Sequence, residues 1–193
     1  MSGIFFAVVG ASGVGKDTVI GEAKFVLDET GRYHFPQRII TRAPDEAGEN
    51  HQSVTVAQFQ IMQDEDAFCL SWRAHELYYG LPKEIFKLLQ KGRHVVANIS
   101  RKSVLEAAGM FENFEVLEII ANPEARAERL QERARETADQ IANRQARKVE
   151  KDWAGDLTVS EIDNNGTVKQ AVDVFVETVL SLSDRSAAPA QRA

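Results

Sequence analysis

Near its amino end the sequence runs Gly10-Ala11-Ser12-Gly13-Val14-Gly15-Lys16-Asp17-Thr18. No other stretch restricts the chain so strongly. An apolar run, Ile4-Phe5-Phe6-Ala7-Val8-Val9, precedes it, and a helix-like run from Thr18 to Leu27 follows. Strand, glycine-rich turn and helix, in that order, make a phosphate-binding loop. The glycines let the backbone fold around an anion with its N–H groups turned inward, and the helix N-terminus adds partial positive charge. Lys16 is then placed to reach the β- and γ-phosphates of a nucleotide. Every position from Gly10 to Thr18 is therefore a candidate nucleotide ligand.

One position departs from the usual pattern. After the lysine a hydroxyl residue is expected as a Mg²⁺ ligand, but the chain has Asp17, with Thr18 one step later. Two readings of Asp17 stand side by side. Its carboxylate is a good hard-cation ligand, directly or through water, and it is equally at home in the first turn of a helix, where the dipole favours it. Asp17 and Thr18 are the candidate metal-binding residues.

The chain has 193 residues, 44% hydrophobic and 27% charged. That suits one α/β domain with room for small inserted subdomains. A net charge of −6 argues against nucleic-acid binding as the main role. The one cysteine, Cys69, excludes a disulfide framework within the chain, and its neighbours Phe68 and Leu70 favour a buried thiol. The four histidines show no metal-ligand spacing. No run is long enough to span a bilayer, and no secretory signal precedes the first strand. A cytoplasmic location is the expectation. No Ser/His/Asp or Cys/His constellation stands out, which disfavours hydrolysis through a protein nucleophile.

Further along, Arg38-Ile39-Ile40-Thr41-Arg42-Ala43-Pro44 reads as an extended segment with both arginines on one face. Two guanidiniums there suit a grip on a phosphorylated substrate, or they are plain surface cations. Asp45 to Asn50 reads as a loop, Ser53 to Val56 as a short β-like stretch, and Ala57 to Asp66 as a helix with Phe59, Ile61 and Met62 inward. Phe68 to Pro82 reads as a hairpin ending in a turn. Residues 36 to 80 or so look like an insertion between core α/β units, a small lobe able to close over a substrate.

Lys83–Gln90 and Ser103–Met110 read as helices, and His94–Ser100 and Phe114–Ile120 as buried parallel strands. Ligands sit beyond the carboxyl ends of such strands, so Asn98, Ser100 and Arg101 are candidates by position. Asn122 caps a helix starting at Pro123. That helix is dense in arginine, and most of its arginines read as a solvated, salt-bridge-laced face. Arg133, Arg135 and Arg144 differ, because they border Glu136-Thr137-Ala138-Asp139, a break that suits a lid between two helices. Leu157–Ile162 reads as a last strand, Asp163-Asn164-Asn165-Gly166 as its turn, Thr167–Leu182 as an amphipathic helix, and Ser183–Ala193 as a disordered tail.

The phosphate loop, the Arg38-to-Pro44 segment, the Tyr78-Tyr79-Gly80 turn and the arginine-rich lid occur in the order of the guanylate kinase group. The resemblance spans about residues 4 to 180. Gly15-Lys16-Asp17, Arg38-Ile39-Ile40-Thr41-Arg42 and Leu70-Ser71-Trp72-Arg73-Ala74-His75 resemble most the branch that phosphorylates ribose 1,5-bisphosphate in phosphonate breakdown. Guanylate kinases usually carry a second arginine where Asp45 stands, a glutamate where Ser71 stands, and an aspartate near Ser100. Two carboxylates that would accept from a guanine edge are thus replaced by hydroxyls, which suits a base-free acceptor.

The resemblance implies a P-loop three-layer α/β/α fold with a mostly parallel central sheet. Its core would be residues 1–35 and 81–183, its substrate lobe about 36–80, and its arginine-rich lid about 130–146. It implies ATP and Mg²⁺ as cofactors. Lys16, Arg133 and Arg144 would be catalytic, and Arg38, Arg42, Ser71, Tyr79, Ser100 and Arg101 would bind a sugar bisphosphate. No nucleic-acid or membrane partner is implied. The oligomeric state is left open, a homodimer being one arrangement. A nucleoside monophosphate kinase and a non-catalytic binding module of the same fold are the alternatives. The retained Lys16 speaks against the second.

Overall fold

The computed structural model describes residues 2–42, 51–74, 76–132 and 154–187. In chain order its elements are β1 (Phe5–Val9), α1 (Lys16–Asp28), β2 (Tyr33–His34), β3 (Arg38–Ile40) and β4 (His51–Ser53). Then come α2 (Val56–Asp64), β5 (Phe68–Ala74), β6 (Leu77–Pro82), α3 (Ile85–Gln90) and β7 (His94–Asn98). A single 3₁₀ turn (Arg101–Ser103) leads to α4 (Val104–Met110), β8 (Phe114–Ile120), α5 (Pro123–Glu132), β9 (Val159–Asp163) and α6 (Val168–Ala187).

Five strands pair in parallel in the order β2-β7-β1-β8-β9. β1 lies in the middle and is buried throughout, as its unbroken apolar sequence dictates for a strand covered on both faces. Its residues alternate between two layers. Phe6 and Val8 pack with Val19, Ala23 and Leu27 of α1 and Phe175 and Val179 of α6. Phe5, Ala7 and Val9 pack with Ile85 and Leu89 of α3 and Val104 and Ala107 of α4. Each such phenylalanine or leucine contributes about 1.5–3 kcal/mol by leaving water, so the middle strand anchors the loop that follows it.

The inserted lobe is a second sheet, ordered β4-β3-β6-β5. It is not an independent core: Cys69, Leu70 and Leu81 join the cluster under α3 and α4. On its other face, Phe59 of α2 stacks on Phe68 at 4.6 Å and meets Tyr78 at a tilt, with centroids 5.5 Å apart. Gly80 lets that layer close, since a Cβ there would lie 2.5 Å from the Phe68 ring. Burial pushes the Cys69 thiol up to about 12, so it is a neutral core group.

Several sequence expectations shift. Helix α2 begins at Val56 because Thr55 and Gln58 form a reciprocal capping box, which ends the β-like stretch at Ser53. Ile61 faces solvent at 56% exposure, and Phe59 alone in that helix is buried. Tyr78-Tyr79-Gly80 is strand within β6, and the reversal falls at Glu76, which has φ 62. β3 ends at Ile40, so Arg42 is not on an extended strand with Arg38. Helix α6 continues to Ala187, past the expected end at Leu182. Its Ser183 is buried and accepts a hydrogen bond from the Tyr33 hydroxyl at 2.9 Å, which holds that turn against the sheet edge. The expected loop at Asp45–Asn50 and the lid with Arg133, Arg135, Arg144 and Glu136–Asp139 lie outside the described residues. So do the last residues of the tail, 188–193.

Candidate active site

The phosphate loop sits beyond the carboxyl end of β1. Gly15 is left-handed (φ 90, ψ 20) and begins α1, and no side chain caps that helix. The N–H groups of the first turn therefore face out of the helix end, the arrangement that receives an anion. A Cβ on Gly15 would lie 2.5 Å from Asn164 Nδ2, so only glycine fits. Lys16 Nζ donates to Gly10 O at 2.8 Å and Ala11 O at 3.0 Å, so the ammonium lies over the loop.

The next residue faces the inserted lobe. Asp17 Oδ1 accepts from Asn98 Nδ2 at 2.8 Å and from Arg38 Nη2 at 3.3 Å. Asn98 ends β7, and Arg38 opens β3, so one carboxylate joins the core sheet, the loop and the lobe. Arg38 lies over the Tyr79 ring, 6.0 Å from its centroid. Tyr79 stacks flat on Trp72 at 5.4 Å, and its hydroxyl accepts from Arg42 Nη2 at 3.4 Å. Two guanidiniums and a phenol thus gather opposite the phosphate loop, although they come from different segments. Packing against the Tyr79 face and the bend after Ile40 bring them together, not alternation along one strand.

Of three further candidates, Ser100 and Arg101 are engaged locally. Ser100 Oγ accepts from Lys102 N at 3.3 Å and starts the 3₁₀ turn. Ser71 pairs with Gly80, one position from the Trp72–Tyr79 pair. Alternation along β5 turns it to the opposite face, toward Phe68 and α2. By register, Ser71 thus lies on the face of β5 opposite the Trp72–Tyr79 pair. Arg101 makes a 2.7 Å ion pair with Glu118, both largely buried. Glu118 escaped sequence reading because it lies within an apolar strand, Phe114–Ile120.

The rear of the loop holds residues that the sequence assigned elsewhere. Arg126 Nε donates to Ser12 O at 3.2 Å. Arg129 Nη1 donates to Val14 O at 3.4 Å, and its Nη2 to Asn164 O at 2.9 Å. Asn164 Nδ2 donates to Val14 O at 2.7 Å. Arg126 and Arg129 are therefore loop supports, not a solvated face. Burial, and then the nearby Arg101 charge, lower the Arg126 pKa. The i,i+3 spacing of the two arginines behind the Asn122 cap was the available signal; Asn122 Oδ1 does accept from Ala125 N at 2.7 Å. Asn164 follows the carboxyl end of β9, where the rule applied to β7 would have found it.

Among the described residues, no group of three or more His, Cys, Asp or Glu could hold a metal ion. No helix among them is long and apolar enough to cross a membrane.

No protein-family model matches the chain. Among solved structures, it is similar to a guanylate kinase from Anaplasma phagocytophilum, with a TM-score of 0.67 and 16% identity over 93% of this chain and 86% of that one. A gluconokinase from Sinorhizobium meliloti 1021 gives a TM-score of 0.55 at 14% identity, covering 96% of each chain. The five-stranded parallel sheet, the glycine–lysine loop beyond its middle strand and the inserted lobe define a protein of the guanylate kinase-like P-loop fold.

Curated relatives narrow that class. The chain is 37% identical to ribose 1,5-bisphosphate phosphokinase PhnN of Agrobacterium fabrum, covering 95% of this chain and 98% of that protein. The protein of the same description from Ruegeria sp. is 41% identical over 88% of each chain. A bifunctional ribose 1,5-bisphosphokinase-thymidine phosphorylase of Azorhizobium caulinodans is 41% identical over 95% of this chain, which spans only 26% of that longer protein. The chain belongs to the ribose 1,5-bisphosphate phosphokinase family.

Proposed function

We propose that this chain transfers the γ-phosphoryl group of ATP to the 1-phosphate of ribose 1,5-bisphosphate, giving 5-phosphoribosyl 1-diphosphate and ADP. The observation that carries the reading is the 3.3 Å contact of Arg38 with Asp17 of the phosphate loop, which supports a role for Arg38 in holding the acceptor. A bond forms between an acceptor phosphate oxygen and the γ-phosphorus, and the bond from that phosphorus to the β–γ bridging oxygen breaks. The acceptor oxygen is already anionic, so no strong general base is needed. The barrier comes from bringing two polyanions into line, and fixed cations and positioning lower it.

Loop amides and Lys16 would hold the β- and γ-phosphates. Arg38, Arg42 and Tyr79 would hold the acceptor, with Arg38 meeting a phosphate that no nucleoside monophosphate carries. Arg133 and Arg144 would act on the transferring phosphoryl, a contact type worth about 10³–10⁵ in rate. Mg²⁺, when bound, neutralises charge on the β- and γ-phosphates. An uncapped helix end next to a lysine fits such a nucleotide, and Mg²⁺ commonly keeps waters and phosphate oxygens as most of its ligands. Thr18 would be the loop residue that holds it. Asp17 is already engaged by Asn98 and Arg38, and it serves to place Arg38.

The test is product analysis by phosphorus NMR with ATP, Mg²⁺ and either ribose 1,5-bisphosphate or GMP. A sugar-linked diphosphate signal is expected with the first acceptor and none with the second. GDP formation at a comparable rate would overturn the assignment.

A further inference from the structure

The loop carbonyls are held from behind. Ser12 O accepts from Arg126, and Val14 O accepts from both Asn164 and Arg129. In a trans peptide, the C=O of one residue and the N–H of the next point in opposite directions. A donor that fixes Val14 O therefore turns the Gly15 N–H the other way, toward the helix end that receives an anion. A donor on Ser12 O does the same for the Gly13 N–H.

Asn164 is the innermost of these donors, at 1% exposure. Its Oδ1 is buried with no hydrogen-bond partner among the described residues, a desolvation cost that an apolar side chain would avoid. The Nδ2 bond to Val14 O, at 2.7 Å, is what the amide supplies in return. Arg129 braces the same point, donating to Val14 O and to the backbone carbonyl of Asn164 itself.

We propose that Asn164, braced by Arg129, is a positioning residue that holds the Val14–Gly15 peptide in its anion-accepting orientation before a nucleotide arrives. The proposal rests on the reading of the loop as a nucleotide-phosphate site. Preorientation means that the amides need not reorganise on binding, so losing it weakens nucleotide binding and leaves acceptor binding alone.

The test is calorimetric titration of the full chain with ADP, each variant taken as a ratio to the parent, beside the acceptor KM. In Asn164→Asp, a carboxylate cannot donate to Val14 O. ADP binding about tenfold weaker than the parent is expected, equivalent to about 1.4 kcal/mol, with the acceptor KM unchanged. Arg129→Met, at a partly exposed site, should bind ADP about threefold more weakly, again with the acceptor KM unchanged. Should Asn164→Asp not fold, Arg129→Met decides alone. A parent that binds ADP with variants that bind it equally well overturns the proposal, as does an acceptor KM that rises together with the ADP loss. A parent that does not bind ADP refutes the nucleotide site instead.

Discussion

The carboxylate of Asp17 and the guanidinium of Arg38 meet at 3.3 Å, across the boundary between the phosphate loop and the inserted lobe. Asn98 holds the same carboxylate oxygen at 2.8 Å from the core side. The residue that stands where a metal-binding hydroxyl would be expected is thus joined to Asn98 of the core sheet and Arg38 of the inserted lobe. Arg38 is the more enclosed partner, with its side chain 13% exposed against 35% for Asp17, so Asp17 gives a buried cation a counter-charge.

Asp17→Asn should therefore act on the acceptor. The acceptor KM is expected to rise about tenfold, as for loss of a charge-assisted hydrogen bond. Half-saturation by Mg²⁺ should move less than about twofold. Steady-state kinetics with each varied separately would check this. A shift confined to Mg²⁺ would return Asp17 to the metal.

Tyr79→Phe removes the acceptor of the 3.4 Å bond from Arg42 and keeps the stack on Trp72. A hydrogen bond to a charged group is worth about 1.5–3 kcal/mol, and this long one, at 3.4 Å, falls at or below the low end. The acceptor KM should rise about five- to tenfold, with the KM for ATP unchanged. The melting temperature should stay within about 2 °C of the parent.

Lys16→Ala should lower kcat by at least about 10²–10³, the loss expected for one fixed electrostatic stabiliser of the transition state. The fold should persist, because Lys16 Nζ donates to the loop carbonyls of Gly10 and Ala11 and the core lies beneath. Far-ultraviolet circular dichroism beside single-turnover phosphoryl transfer separates the two effects.

Acid should destabilise the fold through His34 and His94. Burial lowers both pKa values from 6.5, helped by the Arg93 charge at His34 and the Arg32 charge at His94. The folded chain then binds fewer protons than the unfolded chain once the pH drops below 6.5. Stability is full above that value and falls as the pH drops toward the lowered folded pKa values, by about 1.4 kcal/mol per pH unit for each excluded proton. His94 Nδ1 accepts from Ile4 N at 3.1 Å, a bond that protonation would remove. Thermal melts between about pH 7 and pH 5 should show the decline, and a His34→Gln/His94→Gln double variant should flatten it.

Local chemistry made much of the fold legible. The apolar run Ile4 to Val9 reads as a strand and Phe5–Val9 is one, and Asn122-Pro123 reads as a helix start and is one. Phe114–Ile120 occupies its expected bounds. Expectations failed where a side-chain contact set the end of an element, one of them local and one distant. Gln58 reached back to Thr55 and drew Val56 into a helix. Tyr33 held Ser183 and extended α6 beyond its amphipathic stripe.

At the site the division is the same. Gly15 and Lys16 carry their chemistry in sequence order, because a phosphate loop closes within a few residues of itself. Sequence alone therefore determined the anion site, the parallel α/β core and the buried thiol. Which cation faces that site depended on contacts between residues 21 positions apart for Asp17 and Arg38, and 150 apart for Asn164 and Val14. Only the tertiary structure decided those, since periodicity records which face of its own element a residue occupies and carries nothing about what that face will meet.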